Sequence, residues 1–390
     1  MHRVRLGILG VGGMGGVHAR TVMDGKIQRC DLTAVSDINP NVLEPYHNKV
    51  KTFTDNQTLI HSGLVDAVLI ATPHRDHMIS GIAALNAGLH VLVEKPISVQ
   101  KADCKRLIAA HRSRRQVFAA MFNQRTDPHF KQVRELITGG DVGQILRVTW
   151  IATNWFRTDA YYASGTWRAT WEGEGGGVLM NQAPHQLDLL QWLCGMPKRV
   201  WGFCGLGKRH KIEVEDEVTA YFEYADGATG VFITSTGEAP GTNRLEIAGD
   251  RGKVVVENDK IVFWRNLISA REFCRKSKER FGQPPVETVE IPVSGHGGQH
   301  AEIIQNFVDA ILDGRPLIAP AEEGIRSVEL ANAILYSSLK GKPVELPLNS
   351  RAYELQLQAL VRASKTRTKT GAKRIWPSSA KNDLLSSFNK

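Results

Sequence analysis

The chain has 390 residues, 42% of them hydrophobic, which is enough for two domains with sizeable cores. Its formal charge of +9 is concentrated in residues 365–390, where seven Lys and Arg stand against one Asp, leaving about +3 for the rest and no call for a nucleic-acid partner. That Ser-, Thr- and Lys-rich tail reads as a disordered extension, and no run of about eighteen apolar residues occurs to suggest a membrane span.

The first 125 residues alternate strand and helix. "RVRLGILG" (3–10) reads as a strand rather than a signal peptide, since its apolar run is short and broken by glycine. A helix opens near Met14. "CDLTAVSD" (30–37) is a second strand, and "LVDAVLIATP" (64–73) a third, apolar enough to be covered on both faces. An amphipathic helix over 76–88 ends on Gly88, followed by the strand "HVLVEK", a helix over 102–113 and a strand over 116–125. This alternation predicts a parallel sheet with helices on both faces.

The pattern changes after residue 130. A helix over 129–140 leads into short strands: "ILRVTWIATN", "EVTAYFEYADG", "ATGVFITSTG", "NRLEIAGD", "GKVVVEND" and "KIVFW". Turns at 225–227 and 249–252 predict a mostly antiparallel sheet. Helices are expected near 182–195, 301–314 and 322–341. The overall expectation is α/β: a Rossmann domain over 1–125, an α+β domain on an open-faced sheet over 126–350, and an extension over 351–390. An uncovered sheet face predicts a homodimer or homotetramer. Five scattered cysteines with no close pair suggest reduced thiols in a cytoplasm.

Gly10, Gly12 and Gly15 spell G-x-G-x-x-G in "GVGGMG", after a strand and at a helix start, 22 residues before Asp37. In that context the motif predicts a dinucleotide site. Gly10 makes the tight turn, Gly12 admits the pyrophosphate, and Gly15 lets helix pack on strand. Gly13 and Met14 offer the helix N-terminus to the phosphates. Asp37 is placed to accept from the ribose hydroxyls and to repel a 2′-phosphate, favouring NAD over NADP. Turn capping in "SDINP" is the competing reading of Asp37.

"GLHVLVEKPISV" (88–99) runs a buried strand into Glu94, Lys95 and Pro96. Ligands of open α/β sheets bind at such strand ends. Together with "GVGGMG", "SD" (36–37), "ATPHRDH" (71–77) and "GGGVLMNQAPHQLDLLQWLCG" (175–195), this E-K-P resembles the Gfo/Idh/MocA oxidoreductases over about residues 3–345. The resemblance implies a Rossmann domain plus an open-faced sheet domain, and NAD(P)-linked oxidation or reduction of a sugar or cyclitol carbon.

Oxidising a carbinol requires a hydride acceptor and removal of a proton. Burial and a cationic nicotinamide both lower a lysine pKa toward working pH, which suits Lys95. Glu94 is placed to orient that amine or touch the cofactor, and a cis bond before Pro96 fits the turn. His185 matches the histidine of the family's D-x-x-x-H-x-x-D pattern, whereas Asn181 replaces its first aspartate. Asparagine takes no proton, so either His185 or Lys95 is the base; His185 as acid/base with Lys95 polarising the oxygen is favoured. Read as one helix, Asn181, His185 and Asp188 share a face.

Further residues expected along the cofactor are Thr72, Pro73 and His77, then Gln124, Trp167 and Arg168. The segment 153–177 is dense in aromatic and Arg residues, as a saccharide pocket requires. Its candidates are Arg157, Tyr161, Tyr162, Trp167 and Arg168. Tyr336 is a candidate for closing the nicotinamide side, as a comparable tyrosine does in some relatives. "VSGHGGQH" (293–300) reads as a mobile glycine loop lending His296 to the substrate, with His300 as a helix cap. No metal is expected there, because a third ligand is not evident. The leading expectation is an NAD-dependent sugar or glycoside dehydrogenase, with C3 of a pyranoside or anhydrosugar as the candidate position. The alternatives are an NAD-using glycosidase working by transient oxidation and elimination, a cyclitol dehydrogenase, and a non-catalytic dinucleotide-binding regulator.

Overall fold

The computed structural model describes residues 3–369. The first layer is built from β1 (Val4–Leu9), α1 (Met14–Met23), β2 (Cys30–Ser36), β3 (Lys51–Phe53), α2 (Asn56–Ile60), β4 (Ala67–Ile70), α3 (His74–Asn86), β5 (His90–Val93), α4 (Lys101–Ala110) and β6 (Phe118–Ala120). Its six strands pair in the order β3-β2-β1-β4-β5-β6, all parallel. Leu6, Ile8, Leu9, Val68, Leu69, Ile70, Val91 and Leu92 are buried to 0% exposure, as a strand covered on both faces requires. The order reverses between β1 and β4, which opens the crevice where such sheets bind ligands. This is the Rossmann arrangement that the sequence predicts.

The chain then runs through α5 (Pro128–Thr138), β7 (Ile145–Ala152), α6 (Asp159–Ala163), α7 (Val178–Asn181), α8 (Pro184–Cys194), β8 (Arg199–Leu206), β9 (Glu215–Glu223), β10 (Thr229–Ser235), β11 (Asn243–Gly249), β12 (Gly252–Glu257), β13 (Lys260–Asn266), α9 (Ala270–Lys276) and β14 (Val286–Ile291). It closes with α10 (Gln299–Asp313), α11 (Gly324–Lys340), β15 (Val344–Glu345) and α12 (Ser350–Lys369). The second sheet has nine strands in the order β14-β13-β12-β11-β7-β10-β9-β8-β15, antiparallel except where β7 meets β10. Alternate positions, such as Val148 and Trp150 of β7 and Val218, Ala220 and Phe222 of β9, are buried beneath α7, α8 and α11. The opposite face carries Trp201, Phe203, Tyr221, Val231 and Ile233 without helical cover, and Phe203 is 62% exposed.

Two features differ from the sequence reading. Residues 181–188 do not form one helix: Asn181 ends α7, and α8 starts anew with Pro184 at its first position, where a missing N–H costs nothing. The tail is helical through Lys369, because α12 buries Tyr353 and Leu357 and pairs Glu354 with Arg106 on α4. The rest of the expected disordered tail, residues 370–390, lies outside the described residues. Helix α10 also returns to the first domain, packing on α1, β1 and β5. Arg29 fastens it there through Asp309 and Asp313 at 2.8 and 2.5 Å.

Candidate active site

The glycine loop fits a dinucleotide pyrophosphate. Gly10 has φ +83°, and a Cβ there meets the Ala71 carbonyl at 2.9 Å. A Cβ on Gly15 falls 1.8 Å from the Gly10 oxygen, so only glycine lets α1 press on the turn. Helix α1 begins at Gly13 with no side-chain cap and no acid in its first turn, leaving its N–H groups free for phosphate. Asp37 stands at the rim of the loop. Its carboxylate accepts from Val11 N at 3.0 Å and Asn39 N at 2.9 Å, so it caps the turn.

At the end of β5 the Lys95–Pro96 bond is cis. His77, expected beside the cofactor, pins this turn. Its two ring nitrogens lie 2.8 Å from the Pro96 and Thr72 carbonyls, and it is fully buried. Pro73 caps α3 and is exposed, and Thr72 keeps a buried hydroxyl without a protein partner. Glu94 turns inward to His18 on α1, at 2.7 Å, and accepts the Lys95 N–H at 3.0 Å. Burial alone raises its pKa, but the His18 bond and the positive charges of His18, His300 and Lys95 outweigh this and hold the carboxyl down at about 2.

The Lys95 amine crosses to the second domain and donates to the Asn181 carbonyl at 2.9 Å. Burial lowers its pKa, Glu94 and Glu174 oppose that, and Arg168 and Arg157 add to it. His185, four residues on, is buried with its Nδ1 unpartnered, and its ring meets Phe122 edge-on at 6.4 Å. Burial, then the charges of Lys95 and His300, keep its pKa well below the usual imidazole value, so the ring is neutral. Lys95 and His185 are near enough for the lysine's charge to act on the imidazole. Asp188 does not join them: both its oxygens bind Arg125 at 2.7 Å in the core.

The aromatic segment is divided. Tyr161 joins the site: its hydroxyl accepts from Arg168 at 2.9 Å and Gln182 at 3.1 Å and donates to the Asn181 oxygen at 3.4 Å. Arg157 and Arg168 lie over its ring at 5.0 and 4.8 Å, and Arg168 also covers Trp167 at 4.7 Å. Tyr162 turns the other way, with its hydroxyl 2.7 Å from Thr236 and its ring on His210. Tyr336 contacts Tyr353 and Lys340 in the seam of α11 and α12, and none of its recorded contacts reaches Lys95 or His185. Gln124 meets Gln186, the neighbour of His185, at 3.3 Å. His296 points to Asp127 at 3.2 Å rather than to the crevice.

Four further groups lie around these residues, of which the sequence singled out only His300, as a helix cap. Glu174 receives the Asn181 side-chain amide and the Ala169 N–H, the latter at 2.6 Å, and lies in the field of Lys95. Burial pushes its carboxyl up to about 6 against those bonds and the Arg168 and Lys95 charges. His300 lies with its ring tilted against that of His18, centroids 5.5 Å apart, and burial brings its pKa down to about 4. His74 lies edge-on to Trp167 at 5.3 Å. His18 completes the set. The position of Glu174 directly before the three glycines was the only local signal among the other three.

Comparison with known proteins agrees with this geometry. Residues 4–122 match the model of the oxidoreductase family with an NAD-binding Rossmann fold, and residues 130–255 match the Gfo/Idh/MocA C-terminal domain. The rhizopine catabolism protein MocA of Rhizobium meliloti is 32% identical over 343 residues, covering 85% of this chain and 94% of its own. Myo-inositol 2-dehydrogenase of Thermotoga maritima is 24% identical, covering 88% and 98%. Among solved structures, the WlbA dehydrogenase of Bordetella pertussis in complex with NADH and UDP-GlcNAcA superposes with a TM-score of 0.76 at 26% identity, covering 89% of this chain and 100% of that one. The chain belongs to the Gfo/Idh/MocA oxidoreductase family.

Proposed function

We propose that this protein is an NAD-dependent dehydrogenase that oxidises a ring carbinol of a sugar or glycoside, with C3 of a pyranoside or anhydrosugar as the leading position. The observation that carries this reading is the meeting of Lys95 from β5 with Asn181, Glu174 and His185 from the second domain. Bound nicotinamide supplies the hydride acceptor. The chain's own residues handle the hydroxyl. Lys95 exchanges the Asn181 carbonyl for the substrate oxygen and polarises it. His185, neutral in the folded protein, takes the proton. Asn181 hydrogen-bonds a neighbouring hydroxyl, while Glu174 behind it supplies the carboxylate that Asn181 lacks. Tyr161, Arg157, Trp167 and Arg168 form a wall of rings and guanidinium groups suited to sugar C–H faces and hydroxyls.

NAD preference rests on Asp37, whose charge disfavours a 2′-phosphate at the loop rim. Asp37→Ser is expected to raise the ratio of NADP to NAD efficiency at least about tenfold, and an unchanged ratio counts against the assignment. The activity test is a panel of pyranosides, anhydrosugars, uronosides and inositols, followed by nicotinamide absorbance. Wild type is expected to reduce NAD with a pyranoside or anhydrosugar. Lys95→Ala and His185→Ala are expected to lower kcat about 10²- to 10⁴-fold while dinucleotide binding persists. Reduction with inositols alone shifts the reading to a cyclitol dehydrogenase. Aglycone release without net NADH shifts it to a glycosidase, and no turnover on any member overturns the enzymatic reading.

A further inference from the structure

At the far end of the glycine loop from His300, three side chains converge away from the crevice. Asp127 caps α5 and fixes its carboxylate by accepting the His129 N–H at 2.9 Å. Its Oδ1 lies 2.8 Å from His129 Nδ1, and its Oδ2 lies 3.2 Å from His296 Nδ1. The three donor atoms fall within 4.8 Å of one another. We propose that Asp127, His129 and His296 hold a divalent transition-metal ion of the zinc class.

Asp127 sets one imidazole nitrogen against each of its oxygens, at 2.8 and 3.2 Å, so a bound ion has to part the first pair slightly. Ligand atoms bound to tetrahedral zinc at about 2.0–2.1 Å stand roughly 3.3 Å apart. Two imidazoles and one carboxylate are a borderline-soft set, suited to zinc and its neighbours and poorly suited to magnesium or calcium. The outer shell is also in place. His129 places Nε2 3.1 Å from the Asp259 carbonyl, a bond that would hold the ring proton there and free Nδ1 for an ion. Metal-bound histidines are oriented by this kind of bond.

Two ligands are preorganised, being buried at the start of one helix, and the third arrives on a loop. The two imidazole rings stack with centroids 5.9 Å apart at 27°. The loop is held close: a Cβ on Gly297 would lie 2.3 Å from the Thr126 oxygen, and Gln299 N donates to Thr126 Oγ1 at 3.0 Å. His296 is 59% exposed, so the remaining coordination position opens to water. An ion here stitches the loop to α5 and so braces the first turn of α10, which carries His300. This site does not depend on the substrate reading.

The test is titration of chelator-treated full-length protein with Zn²⁺, and separately with Co²⁺. One equivalent is expected to bind, with a rise in Tm and, for Co²⁺, a visible absorption band of low-coordinate cobalt. His296→Ala removes an exposed side chain. Asp127→Asn keeps a good helix cap but removes the charge. Each is expected to weaken Zn²⁺ binding at least about tenfold and abolish the cobalt band, with the metal-free Tm of His296→Ala unchanged. No stoichiometric binding by wild type overturns the proposal, as does wild-type binding in both variants.

Discussion

Glu174 is bonded to the Asn181 side-chain amide and lies in the field of Lys95. Asparagine takes no proton, so a carboxylate seven residues earlier in the chain is the ionisable group behind it. With its pKa raised to about 6, Glu174 changes charge within the working range. If its ionised form supports Lys95, kcat/KM rises as pH passes through about 6, and Glu174→Gln loses that limb. Steady-state pH profiles of both proteins check this, and an identical acid limb in the variant excludes the role. Lys95, His185, Gly10 and Gly15 were legible in the sequence, because each sits inside a motif whose local backbone explains it. Glu174, His18 and His74 were not. Their partners come from β5, α1 and the aromatic segment, and only folding makes them neighbours. Tyr162 turns away from Tyr161 for a related reason: composition marks a segment as pocket-like without saying which side chains turn inward. His77 sits at the strand end expected of it, with its ring nitrogens taken by the Pro96 and Thr72 carbonyls.

At the scale of elements, the interruption between α7 and α8 decides which side chains meet. One continuous helix would carry Asp188 on the same face as His185. The restart at Pro184 accompanies a different outcome, with Asp188 in the core against Arg125, which also reaches Glu323 at 2.5 Å. Pro184 was the sequence signal for the break. Arg125 is 1% exposed and bridges the end of the first domain, α8 and the entry to α11. Arg125→Met leaves Asp188 buried without its partner and is expected to cost about 3–5 kcal/mol in urea unfolding. Adding Asp188→Leu is expected to recover much of that loss, since replacing a whole buried pair is far cheaper than removing one member. The strands of both sheets were mostly legible from their period of two and their turns. Short elements such as β3, α2 and β15 were not, because two to five residues carry too little pattern to stand out.

Over the whole molecule, the outer face of the nine-stranded sheet stands out for its apolar side chains, with Phe203 62% exposed. Trp201, Phe203, Tyr221, Val231 and Ile233 lie on adjoining strands there, and a patch of this kind fits a second copy of the chain. Size-exclusion chromatography with light scattering is expected to show a dimer or tetramer, and Phe203→Asp to shift it toward monomer. A wild-type monomer at working concentration would reject that assembly. The openness of this sheet was expected from the family resemblance rather than from any one strand. The path of the last hundred residues was not, since amphipathic helices do not say which body they cover.

That path bears on anyone wishing to work with half of the protein. A gene fragment ending at residue 125 looks like a complete nucleotide-binding module, yet it lacks α10. It would lay bare the seat of Ile304, Phe307 and Val308, all 0% exposed, and strand Arg29 without its two aspartates. A minimal nucleotide-binding piece therefore has to be spliced from two separated stretches, with 299–320 grafted onto the first.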